Sequence, residues 1–161
     1  MATRKAPGMR NILNRLRANT DAGGFTLIEL LVVVVIIGVL AAIAVGVYLD
    51  YRRGAADKSA QSDVRGAIPA VEHYYTDNDN TYPAASQVDQ TTSPIAIGSE
   101  AITLSDKTHL TLYVASPTAT SYKICAYNSG GSANRFYLYD SSVGGSVQAL
   151  TSSSFSMSTC S

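Results

Sequence analysis

Glu29 stands at the edge of an apolar run, Leu30 to Leu49, that contains no charged residue. A carboxylate carried to the lip of a membrane-length stretch is costly and is read first as functional, with a partner to be named. That partner is expected on another copy of the same chain. The competing reading is local: a carboxylate near a helix N-terminus is favoured by the exposed N–H groups and the helix dipole.

The remaining residues with chemical potential point away from catalysis. His73 and His109 have no cysteine or glutamate at metal-ligand spacing in the sequence, so no metal is assigned, and no cofactor. Asp77-Asn78-Asp79-Asn80-Thr81-Tyr82-Pro83 alternates carboxylate and amide oxygens like half of a calcium loop. The glycine at the sixth place and the glutamate at the twelfth are replaced by Tyr82 and Val88, so the segment reads as a helix-ending turn. Gly130-Gly131 lacks the residues of a phosphate-binding loop. The chain is not read as an enzyme.

The elements that would position Glu29 follow from patterning. Twenty apolar residues in helical form rise about 30 Å, the thickness of a hydrocarbon core. A secretory signal has a shorter apolar core of about 7–15 residues and a small-residue cleavage site at its far end. Ala41-Ala42-Ile43-Ala44 could serve as one, but Glu29 sits at the wrong end and helical patterning continues past it. Gly38, Ala42 and Gly46 recur every four residues, a spacing that lets helix backbones approach one another. Tyr48, Tyr51, Arg52 and Arg53 suit a membrane interface.

Beyond the interface, Ala56, Ala60, Val64, Ala67, Ile68, Val71 and Tyr75 form one apolar stripe, with Asp57, Lys58, Asp63 and Arg65 assigned to the other faces. Pro69 is expected to kink this helix without ending it, and the end is placed at about 74–77. From Phe25 to Tyr75 the helix would be about 75 Å long.

From Ala84 onward the texture becomes Ser- and Thr-rich, with short alternating runs. Residues 84–105 read as a loop that can include a strand at Ile95 to Ile97. Leu110, Leu112 and Val114 alternate with Thr111 and Tyr113; Tyr122, Ile124 and Ala126 alternate with Lys123 and Cys125. Phe136 and Leu138 alternate with Arg135, Tyr137 and Tyr139, and Ser146 to Leu150 offers a last strand. Such runs, separated at 128–132 and 141–145 by Gly, Ser and Asn, predict an antiparallel sheet of three or four strands. The apolar stripe would cover one face, giving an α+β fold. The two cysteines, Cys125 and Cys160, are expected to form a single disulfide in an exported domain.

Gly24-Phe25-Thr26-Leu27-Ile28-Glu29-Leu30-Leu31 resembles the prepilin motif of type IV pilins and of the pseudopilins of type II secretion. The motif covers about a dozen residues, the anchor helix matches in character to Leu49, and the general plan extends over the rest. The resemblance implies that a prepilin peptidase cuts between Gly24 and Phe25 and methylates the new amine of Phe25. It implies a leader of residues 1–24, a membrane and filament-core helix of 25–49, and a globular domain of 50–161. In that domain the helix runs to about 77, a loop to about 105 and the sheet from about 106 to 161. It further implies that Glu29 meets the Phe25 amine of a neighbouring subunit, each charge offsetting the burial of the other. Many pilins carry a proline near the position of Gly46; this chain does not, which puts local melting of the helix there in doubt.

Charge agrees with that division. Arg4, Lys5, Arg10, Arg15 and Arg17 against Asp21 give the leader a net charge of +4, and the other residues, 7 basic and 11 acidic, carry −4. A basic leader suits the cytoplasmic side of an anionic membrane. The flanks do not orient the span by themselves, since Arg52, Arg53, Lys58 and Arg65 balance the leader. The negative remainder offers no electrostatic footprint for nucleic acid. No Asn-x-Ser/Thr acceptor is present.

The expectation is therefore a pilin precursor. It would be a single-pass inner-membrane protein with its C-terminal domain outside, handled by the peptidase and the pilus assembly platform and motor. After assembly it would lie in an extracellular, homopolymeric helical filament for adhesion, twitching motility or DNA uptake. A type II secretion pseudopilin and a monomeric membrane-anchored binding domain are the alternatives.

Overall fold

The computed structural model describes residues 24–84, 86–116 and 118–161. The leader, apart from Gly24, lies outside the described residues. The chain divides into two compact units, residues 1–44 and 45–161. One helix, α1 (Leu27–Asp77), passes through Pro69 and ends where the Asx-rich segment was expected to stop it. Asp79 and Asn80 follow with φ of 51° and 55°, the left-handed conformation that Asp and Asn tolerate in turns.

In the first unit every described residue is exposed, including Leu31, Val34, Val35, Ile36 and Leu40. This is a helix with its apolar surface uncovered all round, long and apolar enough to cross a membrane.

Among its described residues the second unit holds seven strands: β1 (Gln87–Gln90), β2 (Ile95–Ile97), β3 (Glu100–Ile102), β4 (Thr108–Val114), β5 (Tyr122–Asn128), β6 (Arg135–Asp140) and β7 (Gln148–Thr151). Five make an antiparallel sheet in the order β1-β4-β5-β6-β7, while β2 and β3 form a separate hairpin. The expected loop at 84–105 thus contains three strands. Only β2 had an apolar signal; β1 is a polar edge strand, held to β4 by its register and by bonds of Asp89 with the side chains of Thr111 and His109.

Ala60, Val64, Ala67 and Val71 are fully buried, as the stripe requires, in one core with Leu110, Leu112, Ile124, Ala126 and Tyr137. Strand β6 is turned over relative to the expectation. Its register pairs Ala126 with Tyr137 and Cys125 with Leu138, so Tyr137 joins the core and Phe136 lies on the other face. Tyrosines fill this region well: Tyr75, Tyr82, Tyr122 and Tyr139 form a chain of ring contacts with centroids 4.6 to 5.9 Å apart. Tyr122 Oη donates to Glu72 Oε1 at 2.7 Å. Burial and that carboxylate push the Tyr122 phenol well above its ordinary range, keeping it a donor.

The outer face of the sheet is also covered in part. Thr111 and Cys125, paired across β4 and β5, are fully buried despite facing away from the helix. Their cover is the C-terminal tail, where Cys160 is joined to Cys125 by a disulfide with Cα atoms 5.6 Å apart. Phe155 of the tail stacks on Phe136 with centroids 4.5 Å apart.

Periodicity assigns Asp57 and Asp63 to faces of the helix other than the apolar stripe, yet neither is left to solvent. Both are buried. Asp57 accepts from Ser132 N at 3.0 Å and Ser132 Oγ at 2.6 Å; Asp63 accepts from Ser105 N and Ser105 Oγ, each at 2.8 Å. A carboxylate receiving both a backbone and a hydroxyl donor offsets its lost hydration. Each therefore fastens a distant loop to α1. A Cβ on Gly131 would overlap Asp57 Oδ1, so the glycine is what admits the loop to the helix. Asp57→Ala is expected to destabilise the domain by about 1.5–3 kcal/mol, the usual worth of hydrogen bonds to a charged group. Thermal unfolding followed by circular dichroism checks this, and an unchanged midpoint would show that the Ser132 contacts contribute nothing.

Candidate functional site

Gly24, Phe25 and Thr26 precede the helix in irregular conformation, and Phe25 is 78% exposed. The Gly24–Phe25 peptide bond thus lies outside regular structure, next to the first helical turn. Among the described residues a Cβ on Gly24 would touch nothing within 4 Å, so no contact with them demands glycine there.

Thr26 and Glu29 form a reciprocal cap. The Glu29 N–H donates to Thr26 Oγ1 at 3.3 Å, while Thr26 N and Thr26 Oγ1 donate to Glu29 Oε2 at 2.9 and 2.8 Å. A hydroxyl residue at the N-cap with a glutamate three positions on is the capping-box arrangement, which satisfies otherwise orphaned donors from both ends. The local role for Glu29 is therefore realised in the single chain. It leaves the carboxylate exposed at the tip of the helix, on the face that also presents Phe25, Ile28, Val32 and Val33.

Gly38, Ala42 and Gly46 are all exposed, and a Cβ on Gly38 or Gly46 would meet nothing within 4 Å. Nothing among the described residues makes use of that small-residue spacing. Cys125 and Cys160 are brought together as the disulfide, at the opposite end of the sequence from the motif.

The fold also assembles groups that sequence spacing did not bring out. His73 and Asp77 lie one helical turn apart on α1, and Glu100 reaches them from β3; one donor atom of each lies within 4.8 Å of the other two. No sequence signal ties Glu100 to His73, from which a turn, a loop and two strands separate it. The other histidine, His109, places Nδ1 2.8 Å from Asp89 Oδ1 and stacks on Tyr127.

An uncovered apolar helix, entered through a short capped motif and carrying a disulfide-closed α+β domain, defines a membrane-anchored subunit of the pilin type. The profile described as the prokaryotic N-terminal methylation motif matches residues 20–45. The chain is 34% identical over 111 residues to the type IV wide pilus major component PilA4 of Thermus thermophilus, covering 69% of this chain and 77% of that protein. It is 39% identical over 82 residues to a fimbrial protein of Neisseria meningitidis serogroup B, covering 51% of this chain and 45% of the relative. With the type IV major pilin protein PilE1 of Neisseria gonorrhoeae it shares 46% over 57 residues, 35% of this chain and 34% of the relative. The chain thus spans less than half the length of the two Neisseria proteins. No solved structure matches it significantly. The chain belongs to the type IV pilin family, whose members are structural proteins and not enzymes.

Proposed function

We propose that this chain is the precursor of a subunit of a type IV pilus. A prepilin peptidase cuts it after Gly24 and methylates Phe25, and the mature helix packs against further copies in a homopolymeric filament. The observation that carries this reading is the apolar helix that none of the described residues covers, headed by an exposed carboxylate one turn from the cut. Lipid can cover such a surface before assembly, and other copies of the same helix can replace the lipid afterwards. Dispersion and backbone approach through Gly38, Ala42 and Gly46 would supply adhesion with little direction of its own. The Phe25 amine and a neighbour's Glu29 would supply the axial register, since a buried charge is tolerated only beside its partner.

The precursor then sits in the cytoplasmic membrane with its C-terminal domain outside, where the disulfide is stable. The assembly platform and motor lift it into an extracellular fibre for adhesion, twitching motility or DNA uptake. The similarity to pilus and fimbrial components supports this reading, and a type II secretion pseudopilus and a monomeric anchored binding domain are the alternatives.

Mass spectrometry of fibres sheared from cells tests the processing step. The expected product begins at Phe25, carries one added methyl on its amine and retains the Cys125–Cys160 link. Assembled fibres whose subunits still hold residues 1–24 would overturn the proposal.

A further inference from the structure

The convergence of His73, Asp77 and Glu100 has the composition of a metal-ion site. Helical spacing of four residues puts His73 and Asp77 on one face, on successive turns. Glu100 opens β3 directly after the turn of the β2–β3 hairpin, and that hairpin is held firmly to the helix. Ile95, Ile97 and Ile102 are buried in the core. Gly98, at φ 63°, packs so closely on Tyr74 that a Cβ would lie 2.7 Å from the ring. Tyr74 adjoins His73, so the backbone carrying Glu100 is fixed beside the imidazole by packing.

The distances suit ligands awaiting an ion better than a direct ion pair. His73 Nδ1 and Glu100 Oε1 are 4.0 Å apart, too far for a hydrogen bond. Zinc-to-nitrogen and zinc-to-oxygen bonds of about 2.0–2.2 Å place two ligands of one ion roughly 3–4 Å apart. The three donors lie within 4.8 Å of one another, close to that spacing. The side chain of His73 is 71% exposed, so the imidazole is open to an ion from solvent.

Charge argues in the same direction. Asp77 is the last residue of α1, whose final turn has no basic residue. A carboxylate at the negative end of a helix is misplaced unless a cation offsets it. One neutral imidazole and two carboxylates match a borderline divalent transition ion such as zinc, with water completing the shell.

We propose that His73, Asp77 and Glu100 bind one divalent transition-metal ion of the zinc class, which clips the C-terminal end of α1 to the β2–β3 hairpin. The proposal is independent of the filament reading, since every ligand comes from one chain.

Zinc uptake by the full chain in detergent micelles, stripped with chelator and followed by equilibrium dialysis, tests it. The expected result is saturable binding of one zinc per chain, weakened by about tenfold or more in both His73→Ala and Glu100→Gln. Binding should be unaltered in His109→Ala, the control for the other histidine. Zinc should raise the thermal midpoint of the wild-type chain by mass action and leave that of His73→Ala unmoved. Circular dichroism of each metal-free variant establishes that it is folded. Absence of zinc uptake, uptake indifferent to His73→Ala, or uptake lost in His109→Ala would each overturn the assignment.

Discussion

Glu29→Val abolishes filaments while the precursor is still inserted and cut; that is the expected outcome, with fibre yield falling by well over about tenfold. The physical reason is the cost of a buried charge without its counter-charge. In the assembled helix bundle each Phe25 amine would face a valine and remain an uncompensated ammonium in a dry interior. Because Glu29 also closes the cap with Thr26, valine removes two roles at once. Glu29→Gln separates them. Glutamine serves in a capping box and keeps the helix entry, but it carries no charge. If pairing with the amine sets the register, the glutamine variant fails to assemble nearly as completely as valine. Normal fibres from Glu29→Gln would show that capping alone accounts for the residue. Electron microscopy and quantitation of sheared fibres, beside mass spectrometry of the membrane-held protein, distinguish assembly from processing.

Replacing Cys125 and Cys160 together by alanine should have the largest effect on the folded domain. The sequence separation of the pair is 35 residues, and opening a loop of that size costs about 4 kcal/mol on the chain-entropy account. For a domain of this size that corresponds to a drop of roughly 10–20 °C in the unfolding midpoint. The bridge also holds the tail over the outer face of the sheet, where Thr111 and Cys125 are buried beneath it and Phe155 stacks on Phe136. Loss of the tail should therefore expose Phe136 and accelerate amide exchange across β4 and β5. A midpoint within a few degrees of the wild-type value would show that tail packing alone suffices.

Much of the architecture is legible in periodicity. The small apolar residues Ala60, Val64, Ala67 and Val71 recur at helical spacing because a sheet must lie on them, and strands β4 and β5 alternate because one face meets that helix. Strand β1 could not be seen in this way, since Gln87, Asp89 and Gln90 bury little; Gln87 and Gln90 pair with Leu112 and Leu110 of β4, and Asp89 bonds to the side chains of Thr111 and His109. Strand β6 is ambiguous for another reason: Phe136 and Leu138 on one side and Tyr137 and Tyr139 on the other are both apolar enough to form the inner face. The pairing of Ala126 with Tyr137 decides, and a one-residue slip would exchange the faces.

The N-terminal site is almost entirely a matter of local sequence. Thr26 and Glu29 are three residues apart, and the apolar run that follows has a length set by a bilayer; both are properties of contiguous residues. For that reason the processing motif, the anchor and the family could be read directly from the chain. The buried carboxylates and the metal-ion cluster are of the other kind. Asp57 and Asp63 resemble ordinary solvent-facing charges until Ser132 and Ser105, 75 and 42 residues distant, deliver their donors. Glu100 meets His73 only because the hairpin closes against Tyr74. Periodicity reports which way a side chain faces along its own element, and it carries no information about what a remote loop brings to it. Only the closing of the chain on itself decides that.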